Sequence, residues 1–411
     1  MNRHSARCVI VKTIQNCSLG TKYFLFRLVF LEISLARTGL RVDQIAKELT
    51  LKRSLAGKAL RELEANGYLE VKPNFSGTRG RPSRVYDATE KLTAIASGPV
   101  QVRFSHLIED LLTPDLKTAS GIRRHELKLP ARMLLAVLLS CADERGVVQD
   151  AGTTFLAEKT GVSNESVRNN ITKLQEQGYV RQVCPGVSSK KLLGTVGSAF
   201  VLNLGHSRWR EGALSSHLWL IDVTTPGNLP LTFEAYSFID IARKSGTRFQ
   251  PNLDRLQGSL NQLSGDFSIA DLREITDRLI EDRPFRIADR LQFELELAAS
   301  AILTKHQGDL GTGNLVYSLE IVNRYVKSKI VPEALFANQR SSRNLLIDLM
   351  YRTAWRIAAN TVTVIDAHLL KRSAGNFLIH HPISVPNRST GLRGFKCFAV
   401  ELINDNTGYS T

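Results

Sequence analysis

The stretch SGTRGRPSR, Ser76 to Arg84, sets Arg79, Arg81 and Arg84 between two short apolar runs. Three guanidinium groups on so short a segment suit charge-assisted, bidentate hydrogen bonding to phosphates or base edges. Gly80 lets the chain lie flat there, and Pro82 fixes its direction. The other reading is a solvated hairpin tip, for which Asn-Gly or Asp-Gly would serve. Two further sets carry the same chemistry at helical spacing: Arg53, Ser54, Gly57, Lys58 and Arg61, then Asn164, Ser166, Arg168, Asn169 and Thr172. Arginine and asparagine match guanine and adenine edges respectively, whereas Glu165 repels phosphate unless it accepts from a cytosine amine. Either set could equally be an ordinary solvated face. Lys190 and Lys191, in a later loop, are simple phosphate contacts on this reading.

The elements that must position these groups occur twice. Val42, Ile45, Ala46 and Leu49 give a short apolar face, and a tight connection, TLKR, follows. Ala56, Leu60 and Leu63 then recur at helical spacing before Gly67, the residue suited to a left-handed helix end. YLEVKPNF and RVYDAT alternate as strands on either side of the arginine-rich loop. The order is helix, turn, helix, strand, basic loop, strand. A shift of 111 residues lays Ala46 on Ala157, Leu63 on Leu174, Gly67 on Gly178 and Tyr68 on Tyr179 without a gap over 25 residues. Ala56 and Leu60 meet Val167 and Ile171, so one buried stripe is expected in both copies. The second copy adds the strands YVRQVCPG and SAFVLNL around VSSKKLLGTVG. Ser163 is the expected N-cap of the later helix, and Lys52 stands at that place in the earlier one.

Both segments resemble the winged helix-turn-helix domains of MarR-like and related bacterial transcription regulators. The resemblance rests on LEANGYL followed by GRPSRVY. It covers about residues 21–92, led by TKYFLFRLVFLEISLAR, and about 130–205, led by ARMLLAVLLSCADE. It implies that helices 53–65 and 164–177 enter the major groove and that the 76–84 wing holds the minor groove or phosphates. RGRP, residues 79–82, also resembles the core of the AT-hook, whose arginines suit the narrow minor groove of A·T-rich DNA.

A chain of 411 residues exceeds one ordinary core. The expected plan is a first winged-helix domain over 1–92, a helical linker over 93–129, a second winged-helix domain over 130–205 and a mostly helical C-terminal domain over 206–411. The expected fold class is mainly α with small β-wings. Net charge is +15, and residues 1–205 hold 30 Lys+Arg against 18 Asp+Glu, so the excess sits in the half that carries both repeats. Five scattered cysteines without a C-x-x-C pair fit a reducing cytoplasm. A membrane span, a metal and a cofactor are not expected.

Beyond Gly205 the periodicity is helical in SIADLREITDRLIED, RIADRLQFELELAASAILTK and SSRNLLIDLMYRTAWRIAAN, with HQGDLGTGN and HHPISVPNRSTGLRG expected as loops. His368, Lys371 and Tyr409 faintly follow the order of groups in tyrosine recombinases, but the His-x-x-Arg pattern is not met. The expected protein is therefore a binding protein rather than an enzyme: a sequence-specific reader of double-stranded DNA that regulates transcription, with homo-oligomerisation through the C-terminal half as an option. The alternatives are a plasmid-type replication initiator and a DNA-processing recombinase.

Overall fold

Helix α1, Leu19–Phe30, has no polar face: every residue from Thr21 to Leu28 is buried, Lys22 and Arg27 included. A helix buried on every side belongs inside a domain, and α1 packs against a second largely buried helix, α6, Leu129–Cys141. The computed structural model describes residues 14, 16–30, 42–74, 83–96, 104–113, 116–118, 121–123, 127–143, 146–204, 206, 218–222, 268, 270–271, 274, 277–278, 284–310, 314–336, 340–369, 376–386 and 393–403. They form two compact units, residues 1–181 with 200–203, and 182–199 with 204–411. The protein is mainly helical, with small antiparallel sheets.

In the first unit, α2 (Val42–Glu48) and α3 (Arg53–Ala65) follow α1, and β1 (Leu69–Asn74) pairs antiparallel with β2 (Ser83–Ala88). Next come α4 (Glu90–Ala96), α5 (Ser105–Leu112) and a short hairpin of β3 (Leu116–Thr118) with β4 (Gly121–Arg123). Beyond α6 lie β5 (Val147–Val148), α7 (Thr153–Thr160), α8 (Asn164–Glu176) and the first two residues of β6 (Val180–Cys184), whose remainder belongs to the second unit. β9 (Ala199–Leu202) pairs with β5, Val201 opposite Val147. The 111-residue register extends to the leading helices: Leu19–Phe30 falls on 130–141, within α6.

Both α3 and α8 end in the same motif. Gly67 (φ +70°) and Gly178 (φ +78°) take the left-handed position. The amide of Tyr68 then reaches the Leu63 carbonyl, and that of Tyr179 the Leu174 carbonyl, each at 2.9 Å. This is the Schellman closure, which satisfies helix-end carbonyls and turns the chain into the strand. Its hydrophobic partner is the tyrosine, buried to 1% exposure in each copy. The closing bonds repeat as well: Thr89 N to Tyr68 O, and Asn203 N to Tyr179 O.

Helix α2 closes in the same way, with Leu51 N on Ala46 O, but the left-handed residue is Thr50 at φ +55°. A β-branched residue is strained there, at about 1–2 kcal/mol, and the counterpart in α7 is Gly161 at φ +75°. Thr50 is exposed, so Thr50→Gly should raise stability by roughly 0.5–1 kcal/mol after the added freedom of the unfolded chain is subtracted. A urea midpoint that moves up at constant slope is the expected result; a fall would mean that Thr50 bears no strain.

The second unit contains the β7–β8 hairpin, Val187–Ser188 with Thr195–Val196. It also holds α9 (Pro284–Leu310), α10 (Leu319–Ile321) running into a π-helix over Val322–Ile330, and α11 (Arg340–Leu369). A three-stranded sheet has the order β10–β12–β11, formed by Leu218–Asp222, Arg393–Ile403 and Asn376–Pro386. Two expectations need correction. HHPISVP is not loop but most of β11, because two prolines that would break a central strand are tolerated at an edge, and register shifts absorb the irregularity near His381 and Ser384. HQGDL is not loop either: α9 bends at His306 (φ −126°) and continues to Leu310.

Helix α9 carries charge into this core. Arg290, Glu294 and Glu296 are fully buried, and Gln292 nearly so. The Arg290 Nη2 lies 2.6 Å from Glu294 Oε1, and its Nη1 donates to the Gly197 carbonyl at 2.8 Å.

Candidate nucleic-acid interface

Helix α3 turns Ala56, Ala59, Leu60 and Leu63 into the core. The opposite face exposes Arg53, Ser54, Lys58 and Arg61, with Gly57 half-buried among them. Arg53 Nε approaches Asp43 Oδ1 to 2.5 Å, but both side chains are more than half exposed, so solvent screens the pair. Arg61 Nε donates back to the Gly57 carbonyl at 3.2 Å. Lys52, at the N-cap, makes no side-chain capping bond.

Helix α8 presents the corresponding face. Asn164, Arg168, Asn169 and Thr172 are exposed, as is Glu165, while Ser166 is half-buried. Ser163 caps the helix by accepting from the Ser166 amide at 3.2 Å. Thr172 donates its hydroxyl to the Arg168 carbonyl. The buried stripe differs from the expected one: Val167 and Leu174 are buried, Ile171 is only half-buried, and Asn170 occupies the place of the buried Ala59. A buried amide needs partners, and Asn170 finds the Ser166 carbonyl at 2.7 Å and the Ser166 hydroxyl at 3.2 Å.

The loops divide. Arg79 and Arg81 lie outside the described residues. Arg84, on β2 opposite Pro73, is 53% exposed and 4.0 Å from the Glu64 carboxylate. In the later loop Lys190 is exposed, whereas Lys191 Nζ donates to the Asp277 carbonyl at 2.7 Å. The neighbouring Leu192 and Leu193 are buried. That anchoring had no local signal beyond two leucines at the expected tip of a basic loop.

A joint at the start of α1 was also invisible from the pattern. Glu62 of α3 accepts from the Ser18 amide (2.6 Å), the Ser18 hydroxyl (2.7 Å) and the Thr21 hydroxyl. Burial raises the Glu62 carboxyl, but these hydrogen bonds and the charge of Lys58 outweigh it and hold the group below the usual glutamate range. One turn on, Lys22 donates to the carbonyls of Glu158 and Lys159 at the end of α7. Gly161 sits so close to this helix start that a Cβ would fall 2.7 Å from the Cys17 oxygen and the Leu19 nitrogen. The α7–α8 turn and α3 thus meet the same turn of α1. The one hint in the sequence was a lysine inside the apolar TKYFLFRLVF.

Burial pushes the Cys17 thiol up to about 11 and the Cys184 thiol to about 12, which disfavours the thiolate form of both. Among the described residues no group of three His, Cys, Asp or Glu side chains could hold a metal ion, and no helix is long and apolar enough to cross a membrane.

Residues 125–180 match the family model of the helix-turn-helix domain. The match supports a DNA-binding helix-turn-helix domain there. It spans α6, β5, α7 and α8, and it contains the face formed by Asn164, Arg168, Asn169 and Thr172. The helix-turn-helix match ends at Val180, the first residue of β6. No curated protein matches the chain.

Proposed function

We propose that this protein is a sequence-specific double-stranded DNA-binding protein of the MarR-like bacterial plan, with two tandem winged-helix domains in one chain, and that it regulates transcription in the cytoplasm. It acts by binding and not by catalysis. The observation that carries the reading is the repeated joint: α3 and α8 end in the same glycine–tyrosine closure, 111 residues apart, and both expose polar and basic side chains opposite a buried stripe. In each copy the second helix of the pair reads the major groove. Because α1 ties α3 to the α7–α8 turn through Glu62, Lys22 and Gly161, one protomer presents both helices at a fixed separation.

Selection from a random duplex library with the full-length protein at near-physiological salt tests this. The expected product is a motif of two half-sites at one spacing, and lengthening the spacer by half a helical turn, about 5 base pairs, should abolish tight binding. Absence of any enriched motif would overturn the reading. The same joint favours one other role, a plasmid-type replication initiator, since a single chain covering two half-sites suits directly repeated sites. Motifs arrayed at an origin rather than at promoters would select that role.

A further inference from the structure

A π-helix of nine residues, Val322–Ile330, lies in the second unit. Such wide turns are rare, and where they occur they concentrate at functional sites. Here the wide spacing sorts the side chains cleanly. Val322, Tyr325, Val326 and Ile330 are buried, while Asn323, Arg324 and Ser328 are exposed and Lys327 is half-buried beside them. The segment VNRYVKSKI contains no acidic residue. The nearest acids in sequence are already engaged: Glu320 holds Lys305 at 2.6 Å, and Glu333 lies 3.8 Å from Arg343.

The loop that follows β7 is fastened to the C-terminal end of this π-helix. The Leu193 amide donates to the Ile330 carbonyl at 2.9 Å, Leu192 and Leu193 are buried, and a Cβ placed on Gly194 would meet the Pro332 ring at 3.7 Å. Ser189 accepts from the amides of Lys191 and Leu192, closing the turn that leaves Lys190 exposed. A basic loop is thereby joined to a helix whose own nine residues carry no acid.

We propose that the 189–194 loop and the outer face of the Val322–Ile330 π-helix form a phosphate-contacting surface for double-stranded DNA, with Lys190, Arg324 and Lys327 as its cations. The inference rests on the DNA-binding reading above. Asn323 and Ser328 add hydrogen-bonding side chains but nothing arranged to read a base. The surface therefore supplies affinity and orientation rather than sequence preference.

The test compares full-length wild type, the triple variant Lys190→Ala, Arg324→Ala, Lys327→Ala, and the charge-preserving Arg324→Lys, Lys327→Arg. Each is titrated on the selected duplex and on an unrelated duplex over a salt series. Each lost phosphate contact removes roughly 0.9 from the slope of log affinity against log salt, so the triple variant should lose about 2.7. Between 50 and 200 mM salt that is about 40-fold less change in Kd. The loss should be equal on both duplexes, with the charge-preserving variant close to wild type. An unchanged slope in the triple variant, with Arg168→Ala still weakening the selected duplex, would overturn this surface and leave the DNA reading standing. A wild type that binds neither duplex would overturn the DNA reading itself, and this surface with it. An acidic protein captured through the same three residues, without any change in DNA binding, would also count against it.

Discussion

Arg290→Met is expected to destabilise the second unit by about 3–5 kcal/mol, because it strands a buried carboxylate without its partner. Arg290 and Glu294 are both fully buried, one turn apart on α9, with 2.6 Å between nitrogen and oxygen. The same guanidinium holds the Gly197 carbonyl at 2.8 Å, just before β9. The single change therefore removes an ion pair and the tie between α9 and the β8–β9 segment. Arg290→Met combined with Glu294→Leu should recover most of the loss, since a buried pair replaced by apolar groups of similar volume is often neutral or stabilising. Urea unfolding of the three proteins is the measurement. A single variant as stable as wild type would mean that Glu294 is neutralised by other means.

Arg168→Ala and Asn169→Ala should each cost about 1–3 kcal/mol in binding to the selected duplex if they make bidentate base contacts. That is roughly 5- to 150-fold in Kd. Both side chains are exposed on α8, inside the segment that matches the helix-turn-helix model, so the fold should be unaffected. The expected signature is relaxed base preference in one half-site with the other unchanged. An equal loss on every sequence would reassign these residues to phosphate. Asn170→Ala is the control: its amide is buried and bonded to Ser166, so its removal should alter stability and leave base preference alone.

The features legible in the sequence were those governed by neighbours along the chain. Helix limits at 53–65, the Ser163 cap and the glycine–tyrosine helix ends follow from periodicity and capping, which act over three or four residues. The 111-residue register made the repeat visible, because each copy satisfies the same local rules. Edge position was not legible, so a strand holding Pro382 and Pro386 read as loop. Nor could the pattern show that Asn170 replaces a buried alanine by bonding to its own helix.

Composition and spacing by themselves determined a basic, mainly helical chain with one helix–helix–strand pattern repeated after 111 residues and polar outer faces. Only the tertiary structure decided which of those polar groups stay in solvent. Glu62 meets Ser18 across 44 residues, Lys22 meets Glu158 across 136, and Lys191 meets Asp277 across 86. Such pairings leave no periodic trace, because they depend on which helix ends converge once the apolar faces of α1, α6 and α9 are buried.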